Sequence, residues 1–478
     1  MSSIRQDTIN GVKWSTIENI SSTGLSFVIG LVLARILTPS DFGIIGMVSL
    51  FFAVSQILIN SGFGNALIRK PDRTETDCST VFYFNLFVGI ICSLLIFCLS
   101  PYIANFFNQP ILSPICKVLS ITLVLNSLAI VPVAILTIKV DFKSLAKVTV
   151  MSTCISGSLG IYLAYTGAGI WALVAQQVSN VALKVPFVWL VSKWRPRNRF
   201  SKSSFQMMFS YGSKLLASGL LQTVYTNASA IVIGKFYHPA DLGFYSRGNS
   251  IAQAPVTNLS GAIQRVSFPI LAKLQSDEQA LIQTYRKYIK LSSIPIFILM
   301  STLAAVARPL VIAVLTEKWV DTIIYIQVFC VAYIFDHITR LNLNLLQVIG
   351  RSDLFFRLEI VKKAVAFVLL FASIPFGVFA ICLSKVFYAQ FALVVNTYYT
   401  GKIFGIGYVK QMRDYIKYLA ASIVSCVIPY IISQSCCFGV LPSLIISVVF
   451  AFLSYAFLLR DDSLFREFVL VLIEKYKK

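Results

Sequence analysis

The chain has 478 residues, 57% hydrophobic and only 13% charged, where a soluble globular chain carries about a quarter charged. Its mean hydropathy is +0.78, and apolar runs recur from residue 20 to residue 459, which excludes a soluble enzyme or a catalytic domain of ordinary size. Lys and Arg number 41 against 20 Asp and Glu, a net charge of +21; in a polytopic membrane protein such an excess marks cytoplasmic loops rather than a nucleic-acid partner.

A hydrocarbon core of ~30 Å takes roughly 20 helical residues. On that ruler the chain has fourteen spans. The first six are 14–36, 41–62, 79–100, 111–136, 144–165 and 169–192. The next six are 209–235, 240–270, 288–307, 321–349, 355–375 and 377–400, and the last two 415–433 and 439–459. The start, MSSIRQDTINGVKW, lacks a cleavable signal pattern, so the first span is expected to be retained. Spans 41–62 and 240–270 are rich in Gly, Ser and Asn, yet backbone in lipid must still be helical. The cysteines fall mostly in apolar runs without a CxxC, and His238 and His337 are the only histidines. The cysteines therefore read as small core residues, with neither a disulfide framework nor a metal centre.

With both termini cytoplasmic, 28 of the 41 cations fall on inner segments and only Arg35, Lys235, Arg308 and Lys318 on outer ones. That asymmetry supports the threading. Residues 34–43, ARILTPSDFG, parallel 234–243, GKFYHPADLG, at an offset of 200 that pairs Arg35 with Lys235, Asp41 with Asp241 and Gly43 with Gly243. GIWAL at 169–173 and GVFAI at 377–381 repeat the relation at an offset of 208. The expected organisation is thus two six-helix bundles, 1–200 and 201–400, with two further helices and a basic tail in 401–478. Pro-x-Asp-x-Gly also suits any turn that starts a helix, so Asp41 and Asp241 are expected to cap spans two and eight, with a structural or gating role shared by Arg35 and Lys235.

The segments RILTPSDFGIIGM (35–47), GFGNALIRK (62–70), VDFKSLAKV (140–148), GIWALVAQQ (169–177), FPILAKLQSD (268–277) and EKWVDTIIYIQVF (317–329) resemble the bacterial polysaccharide transporter family of the multidrug/oligosaccharidyl-lipid/polysaccharide exporter superfamily. These are Wzx-like flippases of O-antigen, capsule, colanic and teichuronic acid pathways. The resemblance implies an all-α membrane fold and no catalytic activity. It also implies transfer of an undecaprenyl-pyrophosphate-linked oligosaccharide to the outer leaflet of the bacterial inner membrane. A monomer with no cofactor, coupled to Na+ or H+ and working beside a polysaccharide polymerase and chain-length machinery, is what such a protein is expected to be.

Nine cations remain inside spans: Lys117, Lys184, Lys214, Arg247, Arg265, Arg340, Lys362, Lys363 and Lys385, against the acids Glu18, Asp336 and Glu359. A charge facing lipid costs ~2.5–3.5 kcal/mol, so each needs a partner, a snorkelling route or water. Asp336 with Arg340, and Glu359 with Lys362 or Lys363, have helical pairing distance; Lys214 and Arg265 stand near span ends and can snorkel. Arg247, Lys385, Lys184 and Lys117 have no acid at i±3 or i±4 and are the expected ligands of a diphosphate in an aqueous cavity, with Lys214, Arg265 and Arg340 as further cavity candidates. Tyr225, among Gln222, Thr223, Thr226 and Asn227, is the sugar-contact candidate, and Asn19, Ser21, Ser22 and Thr23 form the corresponding polar stretch of span one. Glu18, Asp336 and Glu359 are the acids available for ion coupling. The rival readings are a drug/cation antiporter of the same superfamily, a peptidoglycan-precursor flippase, and a membrane polymerase or acyltransferase. The positive excess disfavours the antiporter. The absence of GxSxG, HEXXH or paired catalytic carboxylates in the sequence disfavours the enzymes.

Overall fold

The computed structural model describes residues 2–60, 62–435 and 439–476, which are helical with no strand among them. In chain order the helices are α1 (Ser2–Ile36), α2 (Pro39–Asn60), α3 (Phe63–Arg69), α4 (Glu75–Phe107), α5 (Leu112–Ile138), α6 (Phe142–Tyr165) and α7 (Ile170–Ser192). They continue with α8 (Lys202–Phe236), α9 (Pro239–Lys273), α10 (Glu278–Ala305), α11 (Ala307–Val314), α12 (Thr322–Tyr333) and α13 (Asp336–Val348). The last are α14 (Ser352–Ser373), α15 (Val378–Phe404), α16 (Tyr408–Ser435), α17 (Val440–Leu458) and α18 (Ser463–Tyr476).

Ten helical stretches among the described residues are long and apolar enough to cross a membrane. Polar residues interrupt the others that have the length: Gln176, Gln177 and Asn180 in α7, Arg247, Asn249 and Gln253 in α9, and Arg357, Glu359, Lys362 and Lys363 in α14. In α1 the apolar stretch is confined to Ser21–Ile36. With these four the count approximates the fourteen spans expected. The protein is an all-α, multi-pass membrane protein. One span differs in kind: 321–349 is two helices, α12 and α13, broken at Ile334–Phe335. Among the described residues six cysteines are buried, but Cys98 and Cys154 are exposed on their helices, where a thiol is apolar enough to face lipid.

Two compact units can be distinguished, Met1–Gly243 and Phe244–Lys478. In the first, α4 packs on α5, α1 on α6, and α7 on both α5 and α6. Small residues bring the backbones together: Gly157 of α6 lies under the Ile29 side chain and Gly89 of α4 against Ser127 of α5. Helix α8, which begins the 201–400 segment of the expected repeat, packs on α2, α3 and α4. In the second unit α16 joins α10 to α17, and α12, α13 and α14 pack on α15. A fully buried network ties α13, α15 and α16. Thr400 Oγ1 and Gln411 Nε2 donate to Asn342 Oδ1 at 2.9 and 3.0 Å, and Asn342 Nδ2 donates to Gln411 Oε1 at 2.9 Å.

Helix starts carry their caps in the sequence. Thr74 and Asp77 form a capping box at α4, and Lys70 adds an ion pair to Asp77 at 2.7 Å. The paired turns behave alike: the Thr38 N–H donates to Asp41 Oδ2 at 2.9 Å at the start of α2, and the His238 N–H donates to Asp241 Oδ2 at 3.2 Å at the start of α9. The turns also meet. A Cβ on Gly43 would overlap the Pro239 carbonyl, and one on Gly243 would overlap the Pro39 carbonyl. The contact is reciprocal, and only glycine allows it.

Candidate substrate-binding cavity

A cavity of about 740 Å³ opens inside the first unit among α1, α2, α5, α6 and α7. Each helix contributes a stripe at helical spacing. These are Ser22 and Ser26 with Thr23 on α1, Phe52 and Gln56 on α2, and Leu119, Thr122, Leu123 and Asn126 on α5. Thr149 and Thr153 on α6 and Gln176, Gln177, Asn180 and Val181 on α7 complete it. The lining sets hydroxyls and amides beside an apolar wall of Phe52, Leu119, Leu123 and Val181, and none of the lining residues is Asp, Glu, Lys or Arg. Asn180 Nδ2 donates to Thr153 Oγ1 at 3.3 Å and Ser156 Oγ at 3.1 Å, which fixes which end of this amide points to α6. Charge appears one turn beyond the lining, where Glu18 of α1 lies beside the Thr149 hydroxyl and within electrostatic reach of Lys184 of α7. Lys184 continues the Gln176–Asn180 stripe at i+4.

The expected cations divide between regions. Lys117 sits five residues past the start of α5 with Nζ 5.4 Å from the Phe97 ring centroid. Nine residues separate it from Asn126; at ~100° per residue that is half a turn off the cavity stripe, so the structure does not bring Lys117 to this cavity. Tyr225 lies half-buried on α8, two residues before Asn227, whose Oδ1 is 3.4 Å from Ser49 Oγ of α2. Lys235 donates to the Phe106 carbonyl and stacks over its ring at 4.6 Å, satisfying an orphan carbonyl at the end of α4. Arg35 ends α1 as an exposed residue. The side chains of Asn19 and Lys214 lie outside the described residues.

In the second unit Arg247 of α9 places its guanidinium 5.6 Å from the Trp319 ring centroid, a cation–π arrangement. Nearby, Tyr333 donates its hydroxyl to Asn249 Oδ1 and lies within electrostatic reach of Tyr245, Cys382 and Asp336. Lys385 is one turn beyond Cys382 on α15 and interacts with it. Arg247 and Lys385 thus both lie in the second unit, one over an aromatic ring and the other beside a thiol. Asp336 pairs with Arg340 at 2.6 Å. Glu359 pairs with Lys362, and with Lys363 at 3.9 Å. Arg265 donates to the Gly261 carbonyl at 3.3 Å within its own helix. Among the described residues no three His, Cys, Asp or Glu side chains gather as a metal site would need.

The amides of α2, α5 and α7 are neither charged nor aromatic, so charge and aromatic content do not mark them. Their signal was present: Gln176, Gln177 and Asn180 on an otherwise apolar span mark one wet face, and Thr149 and Thr153 mark another.

Residues 32–324 match the profile of a family described as polysaccharide biosynthesis proteins. The chain belongs to this family. It is 28% identical over 359 residues to the teichuronic acid biosynthesis protein TuaB of Bacillus subtilis (strain 168), covering 74% of each chain. It is 26% identical over 366 residues to the lipopolysaccharide biosynthesis protein WzxC of Escherichia coli (strain K12), covering 75% of this chain and 74% of that one. Among solved structures, the fold is similar to that of the lipid II flippase MurJ in its inward closed conformation. The TM-score is 0.75 at 11% identity, over 94% of this chain and 99% of that one. It is also similar to an inward-facing multidrug resistance transporter of the MATE family in the MOP superfamily, with a TM-score of 0.60 at 15% identity over 85% and 95% of the two chains. For this polysaccharide biosynthesis family member, those two likenesses establish the fold.

Proposed function

We propose that this protein is a flippase that carries a polyprenyl-pyrophosphate-linked oligosaccharide from the cytoplasmic to the outer leaflet of a bacterial inner membrane, and that it is a transporter rather than an enzyme. The observation that carries the reading is the cavity: a polar space of about 740 Å³ inside a bundle with an apolar outer surface. Such a bundle can hold a hydrophilic headgroup while the lipid tail stays in the bilayer. Membership of a polysaccharide biosynthesis family, and relatives named for teichuronic acid and lipopolysaccharide synthesis, support the substrate class. The asymmetric distribution of Lys and Arg supports cytoplasmic termini.

In this reading the segments 1–200 and 201–400 act as rocking halves in alternating access. Arg247 and Lys385 offer charge-assisted hydrogen bonds to the diphosphate. Glu18 is the acid best placed for H+ or Na+ coupling, because Asp336 and Glu359 are already paired on their own helices. The test is deletion of the gene in the producing strain. Polysaccharide export should stop and the lipid-linked repeat unit should accumulate on the cytoplasmic leaflet, with both defects reversed by the gene on a plasmid. Normal export in the deletion strain would sink the reading.

A further inference from the structure

Resting on the flippase reading, we infer that the cavity of the first unit is a subsite for the uncharged sugars of the repeat unit, read by an amide array on α2, α5 and α7. The argument starts from unsatisfied hydrogen-bonding capacity. Gln56, Asn126, Gln176 and Gln177 face this one cavity, and their side-chain amides make no hydrogen bond with any described residue. Asn180 has committed its NH₂ to α6 and turns its carbonyl oxygen the other way. Each free amide offers two donors and an acceptor, so the array presents both roles within one cavity. A sugar hydroxyl, which donates and accepts at once, matches such an array.

Charge complementarity decides the class of ligand. None of the lining side chains carries a formal charge, and Lys184 beyond the lining lies within electrostatic reach of Glu18, so a phosphate or carboxylate entering the cavity would give up hydration for little counter-charge. A neutral pyranose loses far less and regains its hydrogen bonds from the amides. Its C–H face has an apolar wall to rest on at Phe52. The volume lies within the ~300–1,000 Å³ of small-molecule sites, which suits a short stretch of glycan with some bridging water. Specificity follows from the same geometry, because an amide left unpaired by a missing or inverted hydroxyl penalises the wrong sugar.

The test uses the full chain in lipid nanodiscs. The probe is the repeat-unit oligosaccharide released from the producing strain's polysaccharide, freed of lipid and phosphate and carboxyl-reduced. Inorganic pyrophosphate is the second probe, and both are titrated by calorimetry. The wild type should bind the oligosaccharide. Asn126→Ala with Gln177→Ala should weaken that binding about tenfold or more, with pyrophosphate binding and the melting temperature unchanged. Gln177→Met, which keeps the length of the side chain and drops its hydrogen bonds, should alone weaken it several-fold. Unchanged oligosaccharide affinity in either folded variant overturns the subsite, as does displacement of the oligosaccharide by pyrophosphate. Absence of oligosaccharide binding in a chain that still restores export removes the subsite and leaves the flippase reading standing. Failure of the flippase reading shows itself separately, as a deletion strain that exports normally.

Discussion

The two polar regions of this protein are made of different materials. In the first unit, hydroxyls and amides from five helices surround an open cavity, and Glu18 and Lys184 lie within electrostatic reach of each other one turn beyond its lining. In the second, the Arg247 guanidinium lies over Trp319 and Lys385 lies one turn from Cys382. Cations buried in a membrane protein are expensive to keep. Amides cost less and carry more directional information. Under the proposed function, the difference assigns charge and stereochemical detail of one substrate to separate parts of one chain, the diphosphate to the cations and the sugars to the amides.

The largest effect that would sharpen this contrast is expected in the second unit. Arg247→Ala with Lys385→Ala should reduce export about a hundredfold or more, the loss of two charge-assisted hydrogen bonds, while membrane insertion stays normal. Arg247→Lys should restore part of it, because lysine keeps the charge and loses the bidentate fork. Full export by the double variant, measured as surface polysaccharide in a complemented deletion strain, would break the comparison on the cationic side.

A smaller effect is expected where the repeated turns meet. Gly43→Ala places a methyl group onto the Pro239 carbonyl and should cost ~1–3 kcal/mol by overpacking, read as a lower melting temperature of the purified protein. The same substitution at Gly243 should cost a similar amount, because its clash with Pro39 is the reciprocal one. A large difference between the two would argue against a local two-fold.

The smallest effect lies outside both regions and serves as a control. Asp462, between α17 and α18, accepts the Phe465 N–H at 2.9 Å and pairs with Lys417 at 3.0 Å. Burial alone would raise its pKa, but these hydrogen bonds and the lysine outweigh it and hold the carboxyl below the usual carboxylate value. A depressed folded-state pKa gives stability that is present above the unfolded value of ~3.9 and is lost as the pH falls through the folded one. Melting of the wild type should therefore decline below about pH 4, and Asp462→Asn should remove part of that decline without altering export.

Much of the architecture was legible because lipid leaves helices few alternatives. The pairs Asp336–Arg340 and Glu359–Lys362 were legible because both partners sit on one helix at i+4 and i+3. Glu18 and Lys184 were not, since they lie on α1 and α7 and only packing brings them near each other. The break at Ile334–Phe335 has neither Pro nor Gly to announce it, so 321–349 read as one span. Lys117 was placed by its depth in an apolar run, whereas its direction depends on where α5 begins. The cavity was not legible because each helix supplies only one to three of its polar residues, and uncharged ones leave no trace in a charge count.

The most direct measurement is transport by the purified full chain. Proteoliposomes loaded with a polyprenyl-pyrophosphate-linked oligosaccharide from the producing strain would be followed by the fraction of sugar accessible to an external lectin. The account predicts that sugar initially on the inner leaflet becomes accessible faster than in protein-free vesicles, and that Arg247→Ala with Lys385→Ala abolishes the difference. Equal rates with and without the protein, in vesicles where it is folded and correctly inserted, would contradict it.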